Sequence, residues 1–198
     1  MTITERSFNI GIVRTKDFDK QQRIKDAMVD LILKEGINGA SVSKIAKEAG
    51  VSPATIYVYY ENKEDMLSEV FDEYVRKTYS YVSKNIYPQM AGEQFIETLV
   101  RSTYRYALEN ENAFSFVEQC SCCPTLQESS CHSECSVTVF DMIHDYQDRG
   151  IIRKYSDLNI AAFLFEPVKF MAMTRRSITD PERELDELIG MLQKLLLY

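Results

Sequence analysis

Apolar residues recur at helical spacing along most of the chain, and no segment shows the two-residue alternation of a half-buried strand. Ile24, Ala27, Met28, Leu31 and Ile32 make one stripe of a helix that starts near Asp19 and should stop at Gly36. Val42, Ile45, Ala46 and Ala49 mark a short helix after Ser41, closed by Gly50. Ser52 is a cap and Pro53 a first-turn residue of a third helix running to about Tyr60. Asn62, with Asp65 three residues on, opens a fourth that reaches toward Pro88.

Further stripes predict helices from about Phe95 to Asn110, from Glu111 to Cys120, and around Val139–Ile143 up to Gly150. Asp157 is the expected cap of a helix over 157–176, kinked at Pro167, whose ring removes one backbone hydrogen bond. Asp180-Pro181 opens the last helix, which carries Leu185, Leu188, Leu192 and Leu195. The expected fold is all-α, with about nine helices. Three divisions are expected: a flexible arm over 1–18, a small helical domain over 19–62, and a larger helical domain over 63–198.

Composition narrows the class without naming it. No apolar run approaches the ~20 residues of a membrane helix. No apolar stretch follows Glu5, Arg6, Arg14 and Lys16, so no secretory leader is expected and the expected address is cytoplasmic. The net charge of −7 argues at first against nucleic acid, but its distribution is uneven. Residues 1–64 hold 10 Lys/Arg and 9 Asp/Glu, and the acidic excess lies entirely after them. The amino-terminal third is therefore the part that tolerates DNA.

The segment 41–60, SVSKIAKEAGVSPATIYVYY, has the plan of two helices joined by a Gly-containing tight turn. Ala46 is small at the crossing, Gly50 permits a left-handed turn, and Val51 and Ile56 plug a small core. The outer face then offers the hydroxyls of Ser52, Thr55, Tyr57 and Tyr59 to phosphates and base edges. Lys63, at the start of the next helix, adds a charge suited to phosphate.

The stretch SKIAKEAGVSPATIYVYYENKEDML resembles the signature of the tetracycline-repressor (TetR) family, and the resemblance covers about residues 20–70. It implies that Tyr57, Tyr59 and Lys63 hold phosphates and that Ser43, Pro53, Ala54 and Thr55 face bases. Val58 departs from the polar or aromatic residue often found at its position. The resemblance also implies a repressor that binds a palindromic operator as a homodimer, pairs through its last two long helices, and is released by a small-molecule effector. Phe163, Leu164, Phe170, Leu188, Leu192 and Leu195 are candidates for that pairing face, with an intramolecular core as the alternative. Tyr104, Phe114, Phe116, Glu118, Phe140 and Met142 are candidates for the effector pocket, although aromatic and Met stripes also build ordinary cores.

All five cysteines fall within 16 positions: Cys120, Cys122, Cys123, Cys131 and Cys135, with His132 among them. Three readings stand. The thiols are small apolar side chains in a loop. They form a redox or electrophile sensor. Or, with His132, they enclose zinc or another thiophilic metal, although the spacing matches no standard zinc motif. An enzyme is the remote alternative, with Cys120 or Cys123 as nucleophile beside His144. No Gly-rich phosphate loop, metalloprotease His pair or Ser-His-Asp order supports one.

Overall fold

Gly36, Gly50 and Gly150 are the only residues with positive φ among those described, and each ends a helix where the apolar stripe runs out. The computed structural model describes residues 3–121, 123, 126 and 133–198, with side chains described from Phe18 onward and, in the last segment, from Val139. Ten α-helices are described: α1 (Ile3–Glu35), α2 (Val42–Ala49), α3 (Pro53–Tyr59), α4 (Lys63–Ser83), α5 (Gly92–Glu109), α6 (Glu111–Ser121), α7 (Ser133–Asp148), α8 (Asp157–Leu164), α9 (Glu166–Thr174) and α10 (Pro181–Leu196). An isolated bridge between Ile152 and Leu197 is the only extended pairing among the described residues.

The all-α expectation holds, and several local signals act as read. Ser41 and Ser52 each accept a backbone N–H of the following turn, from Lys44 and Thr55. Asn62 accepts from Asp65 N at 2.7 Å, and the Asp65 carboxylate accepts from Glu61 N at 3.0 Å, a capping box shifted by one residue. The helix expected over 157–176 is interrupted at Phe165, which keeps right-handed helical angles and i→i−4 bonds on both sides (Phe165 N to Ala161 O and Lys169 N to Phe165 O, 3.0 Å each). Pro167 sits in the first turn of α9, as a proline kink requires. A 3-10 turn, Arg175–Ser177, follows it.

Two expectations are corrected. The backbone is helical from Ile3, so the stretch read as a flexible arm is the start of α1. The lack of an apolar period there does not decide whether the backbone is helical. With no proline in the way, an established helix propagates at low cost. The cap of α8 is Ser156, whose hydroxyl accepts from Asn159 N, and Asp157 instead bonds His144 Nε2 at 2.7 Å.

The chain divides into two units. The first comprises Met1–Phe71 and Ser115–Glu128, the second Asp72–Phe114 and Ser129–Tyr198. The division differs from a cut at 62/63, because the first unit takes in the start of α4 and the end of α6. Met66, Leu67, Val70 and Phe71 of α4 join the buried set of the first unit, as do Phe116 and Cys120 of α6. The carboxyl end of α6 lies beside the end of α1: a Cβ on Gly36 would sit 3.9 Å from Gln119 Nε2.

The second unit is built around α5. Its stripe of Phe95, Ile96, Leu99, Val100 and Tyr104 packs in one cluster with residues of α7, α8, α9 and α10. Phe95 stacks on Tyr146 at 4.3 Å between ring centres, and the Tyr146 hydroxyl donates to the Met90 carbonyl at 2.8 Å. Gly92 is required by close packing, since a Cβ there would meet Ile151 Cγ2 at 2.6 Å and Leu197 Cδ2 at 2.8 Å. Arg101 ties α5 to α10 by bonding Glu97 and Asp186.

Candidate nucleic-acid interface

Helix α3 is seven residues long, too short to persist without packing. Its one buried side chain is Ile56, and Tyr60, which follows it, is also buried. Helix α2 holds the other side of the joint through Ile45, Ala46 and Ala49. Between them Gly50 adopts φ +65°, and its N–H donates back toward Ala46 and Lys47. A β-carbon in that conformation is disfavoured, so glycine is what lets the chain turn this tightly.

With the inner face spent on packing, the outer face is free. Ser43, Ser52, Pro53, Ala54 and Tyr57 are exposed, while Thr55 and Tyr59 are half-buried. Val58, at 77% exposure, is more exposed than Tyr57 at 57%. An apolar side chain standing this far out on α3 suits contact with a thymine methyl rather than a phosphate. The two hydroxyls at the start of α3 are engaged with each other. Ser52 Oγ accepts from Thr55 N at 3.2 Å and lies 2.9 Å from Thr55 Oγ1. Tyr59 packs its ring 6.4 Å from that of Tyr60.

Lys63 has a structural partner as well as an electrostatic one to offer. Its ammonium donates to the Ile37 carbonyl at 2.6 Å, tying the start of α4 to the loop after α1. Two more donors on the same nitrogen are left for phosphate. Two exposed cations beside the joint were not singled out from the sequence. Arg23 lies against the turn, its Nη1 3.5 Å from where a Cβ on Gly50 would be, and Lys47 is exposed on α2. The signal for them was the excess of Lys/Arg in residues 1–64, which does not say which ones face outward. Lys44 is committed to Glu35 at 2.5 Å and to the Gly39 carbonyl at 3.1 Å.

The six pocket candidates do not fall in one unit. Tyr104, Phe114, Phe140 and Met142 belong to the second, and Phe116 and Glu118 to the first. Phe114 and Phe116 are two positions apart on α6, and so ~200° apart around it, which sends them to opposite sides. Phe116 is fully buried, Phe140 and Met142 half-buried. A cleft of about 520 Å³ opens elsewhere, where α9 gives way to α10, lined by Phe170, Met171, Thr174, Ile178 and Arg183.

The pairing-face candidates also divide. Leu164 and Leu192 are buried in the core of the second unit, Leu188 is half-buried, and Phe163, Phe170 and Leu195 are exposed.

Of the cysteines, Cys122 and Cys131, with His132, lie outside the described residues, and Cys135 is placed on α7 by its backbone alone. Cys120 is fully buried and Cys123 half-buried, and both are free thiols. Among the described residues no group of three or more His, Cys, Asp or Glu is placed to hold a metal ion. Burial, helped by the nearby Cys123, pushes the Cys120 thiol from its ordinary 9.0 up to about 12. A thiol-reactive sensor needs the opposite shift. The raised value means that Cys120 adds to stability in full below about pH 9, where the thiol is protonated folded or unfolded. That contribution is lost as pH rises toward 12, because only the unfolded chain then ionises readily. We expect Cys120 to resist a thiol-labelling disulfide reagent at pH 8 in the folded protein and to react at once in denaturant. Labelling in the folded protein as fast as in denaturant would refute the burial argument.

The model of the family described as "Bacterial regulatory proteins, tetR family" matches residues 24–70, which span the end of α1 through the first turns of α4. The "Fatty acid metabolism regulator protein" of Bacillus subtilis (strain 168) is 34% identical over 100 residues, covering 50% of this chain and 51% of its own. The transcriptional regulator BetI of Vibrio campbellii is 32% identical over 97 residues, 48% of each chain. The matched region thus spans about half the length of these curated relatives. Among solved structures, a TetR family transcription regulator from Marinobacter aquaeolei VT8 superposes with a TM-score of 0.80 over 93% of this chain and 98% of its own, at 22% identity. The fatty acid degradation regulator FadR from Bacillus halodurans gives 0.67 over 88% and 94%, also at 22%. At such identities the likeness is one of fold, while the α2–Gly50–α3 joint and its family match supply the assignment: residues 24–70 of this chain form a helix-turn-helix domain of the tetR family of bacterial regulatory proteins.

Proposed function

We propose that the protein is a cytoplasmic transcriptional repressor that binds a palindromic operator as a homodimer and is released by a small apolar effector. The observation that carries the reading is the outward face of α3, held by Ile56 and Gly50 and ringed by Arg23, Lys47 and Lys63. Exposed Tyr57 and half-buried Lys63 reach phosphate and set the register. Pro53, Ala54 and Val58 meet base edges, where apolar groups discriminate thymine.

A second copy is the natural cover for the apolar residues exposed on α8, α9 and α10. Phe163, Phe170, Met173 and Met191 are each at least half exposed. The two-fold axis of such a dimer presents two α3 helices and calls for a palindromic site. The aliphatic and aromatic core of the second unit supports an effector site there. Two similar proteins carry fatty acid in their names, which makes an alkyl or acyl chain the first class to test.

Selection from random duplex DNA is expected to enrich a palindrome. Affinity for it should fall by about two orders of magnitude or more between 50 and 200 mM salt, because several phosphates are neutralised. Enrichment of no palindrome, or an affinity indifferent to salt, would overturn the reading.

A further inference from the structure

Tyr104 carries the one buried side-chain oxygen or nitrogen, among the described residues, that has no hydrogen-bond partner. The residue is 3% exposed and belongs to the apolar cluster of the second unit. The other tyrosine hydroxyls of that unit with recorded bonds are satisfied: Tyr146 donates to Met90 O at 2.8 Å and Tyr81 to Glu109 at 2.6 Å. A phenylalanine would fill the same space with no polar group to desolvate, so the hydroxyl at 104 is a cost that packing does not explain.

Water is a poor partner for it. A buried water needs two to four polar neighbours, whereas Tyr104 lies in an apolar cluster, and two buried polar side chains of the unit are spent on backbone carbonyls. Thr103 donates to Leu99 O at 2.8 Å, and the Gln147 amide donates to the carbonyls of Arg153 and Tyr155 at 3.1 Å each. What suits a single hydroxyl among apolar side chains is a molecule with an apolar body and one oxygen acceptor. That acceptor should be neutral. No described Lys, Arg or His of the second unit is buried, and a carboxylate brought to Tyr104 would lose its hydration for one hydrogen bond. Half-buried Leu108, Phe140, Met142 and Phe165 pack against the same cluster. Their flexible or edge-exposed side chains can yield room without breaking backbone bonds.

We propose that the Tyr104 hydroxyl anchors a neutral, mostly apolar effector by donating to its carbonyl or hydroxyl oxygen. The inference rests on the ligand-responsive reading of the second unit and supplies the chemistry of its ligand.

The test compares full-length wild type and Tyr104→Phe, without DNA, by thermal melting and titration with 2-undecanone, a neutral ketone, and with decanoate, an anion of similar length. Tyr104→Phe alone should melt no lower than wild type, since it removes an unsatisfied group. The ketone should raise the wild-type Tm and bind the variant about tenfold more weakly, the loss of one neutral hydrogen bond. Decanoate should bind more weakly than the ketone and discriminate little between the two proteins. A variant that melts several degrees lower would show that the hydroxyl has a partner in the free protein and would overturn the proposal. Equal ketone binding by both proteins, or none by wild type, would overturn it too. Operator binding is read separately: its absence would remove the repressor reading whatever Tyr104 does, and its presence with a silent Tyr104→Phe would remove only this anchor.

Discussion

Replacing Ile56 by Ala is expected to weaken operator binding at least tenfold while leaving every exposed side chain of α3 in place. Ile56 is 1% exposed and is the only residue α3 buries. Truncating a buried Ile to Ala typically costs about 2–5 kcal/mol, from lost apolar transfer plus the cavity left behind. A seven-residue helix has no cooperative reserve of its own to absorb that. The consequence is local: α3 frays or shifts, and its reading residues lose their common orientation. The second unit has its own core around α5, so the dimer should survive. Gel shift against the selected palindrome, with light scattering in parallel, separates the two effects. An Ile56→Ala dimer that binds within twofold of wild type would mean that α3 is held by something other than this anchor.

How much of this was legible in the chain depends on whether a signal was local. Helix stops at Gly36, Gly50 and Gly150, and the caps Ser52, Asn62 and Asp180, are decided within four residues, and they appear where the pattern places them. The outward face of α3 was legible for the same reason, because a helix as short as 53–59 can bury only one stripe and must show the rest. Failures came where distance in space decided. Nothing in residues 111–121 says that Phe114 and Phe116 serve different units, since either is simply an aromatic residue on a helix. The sequence reading of Lys63 as a phosphate ligand leaves out its second tie, to the Ile37 carbonyl 26 positions earlier at 2.6 Å. Leu164 and Leu192 look as available for pairing as Phe170 does, and only the packed structure assigns them inward. Helical propagation through residues 3–17 is a failure of another kind, because the apolar period reports which face is buried and not whether the backbone is helical.

A double substitution, Phe170→Glu with Met173→Glu, is expected to split the dimer and lower palindrome affinity by about two to four orders of magnitude. The two residues are three apart on α9, so they share one face, and they are 69% and 73% exposed in the single chain. Met191 and Leu195, four apart on α10, form a similar stripe. Neither stripe is needed by the core of its own unit, which is filled by Val168, Met171, Ile189 and Leu192. Carboxylates at 170 and 173 therefore remain hydrated in the monomer and do not disturb its fold. In the dimer the same carboxylates would be stripped of water, opposite their symmetry mates, at a cost of several kcal/mol per buried charge. Splitting the dimer removes the effective concentration that delivers the second α3 helix to the second half-site, and that linkage is worth about 10²–10⁴ in affinity. The expected signature is thus threefold: halved mass at micromolar concentration, unchanged helical content, and weak binding to whole palindromes and single half-sites alike. A variant that stays dimeric would place the two-fold interface elsewhere on the second unit. A monomer that still binds the palindrome at full strength would break the link between pairing and DNA reading altogether.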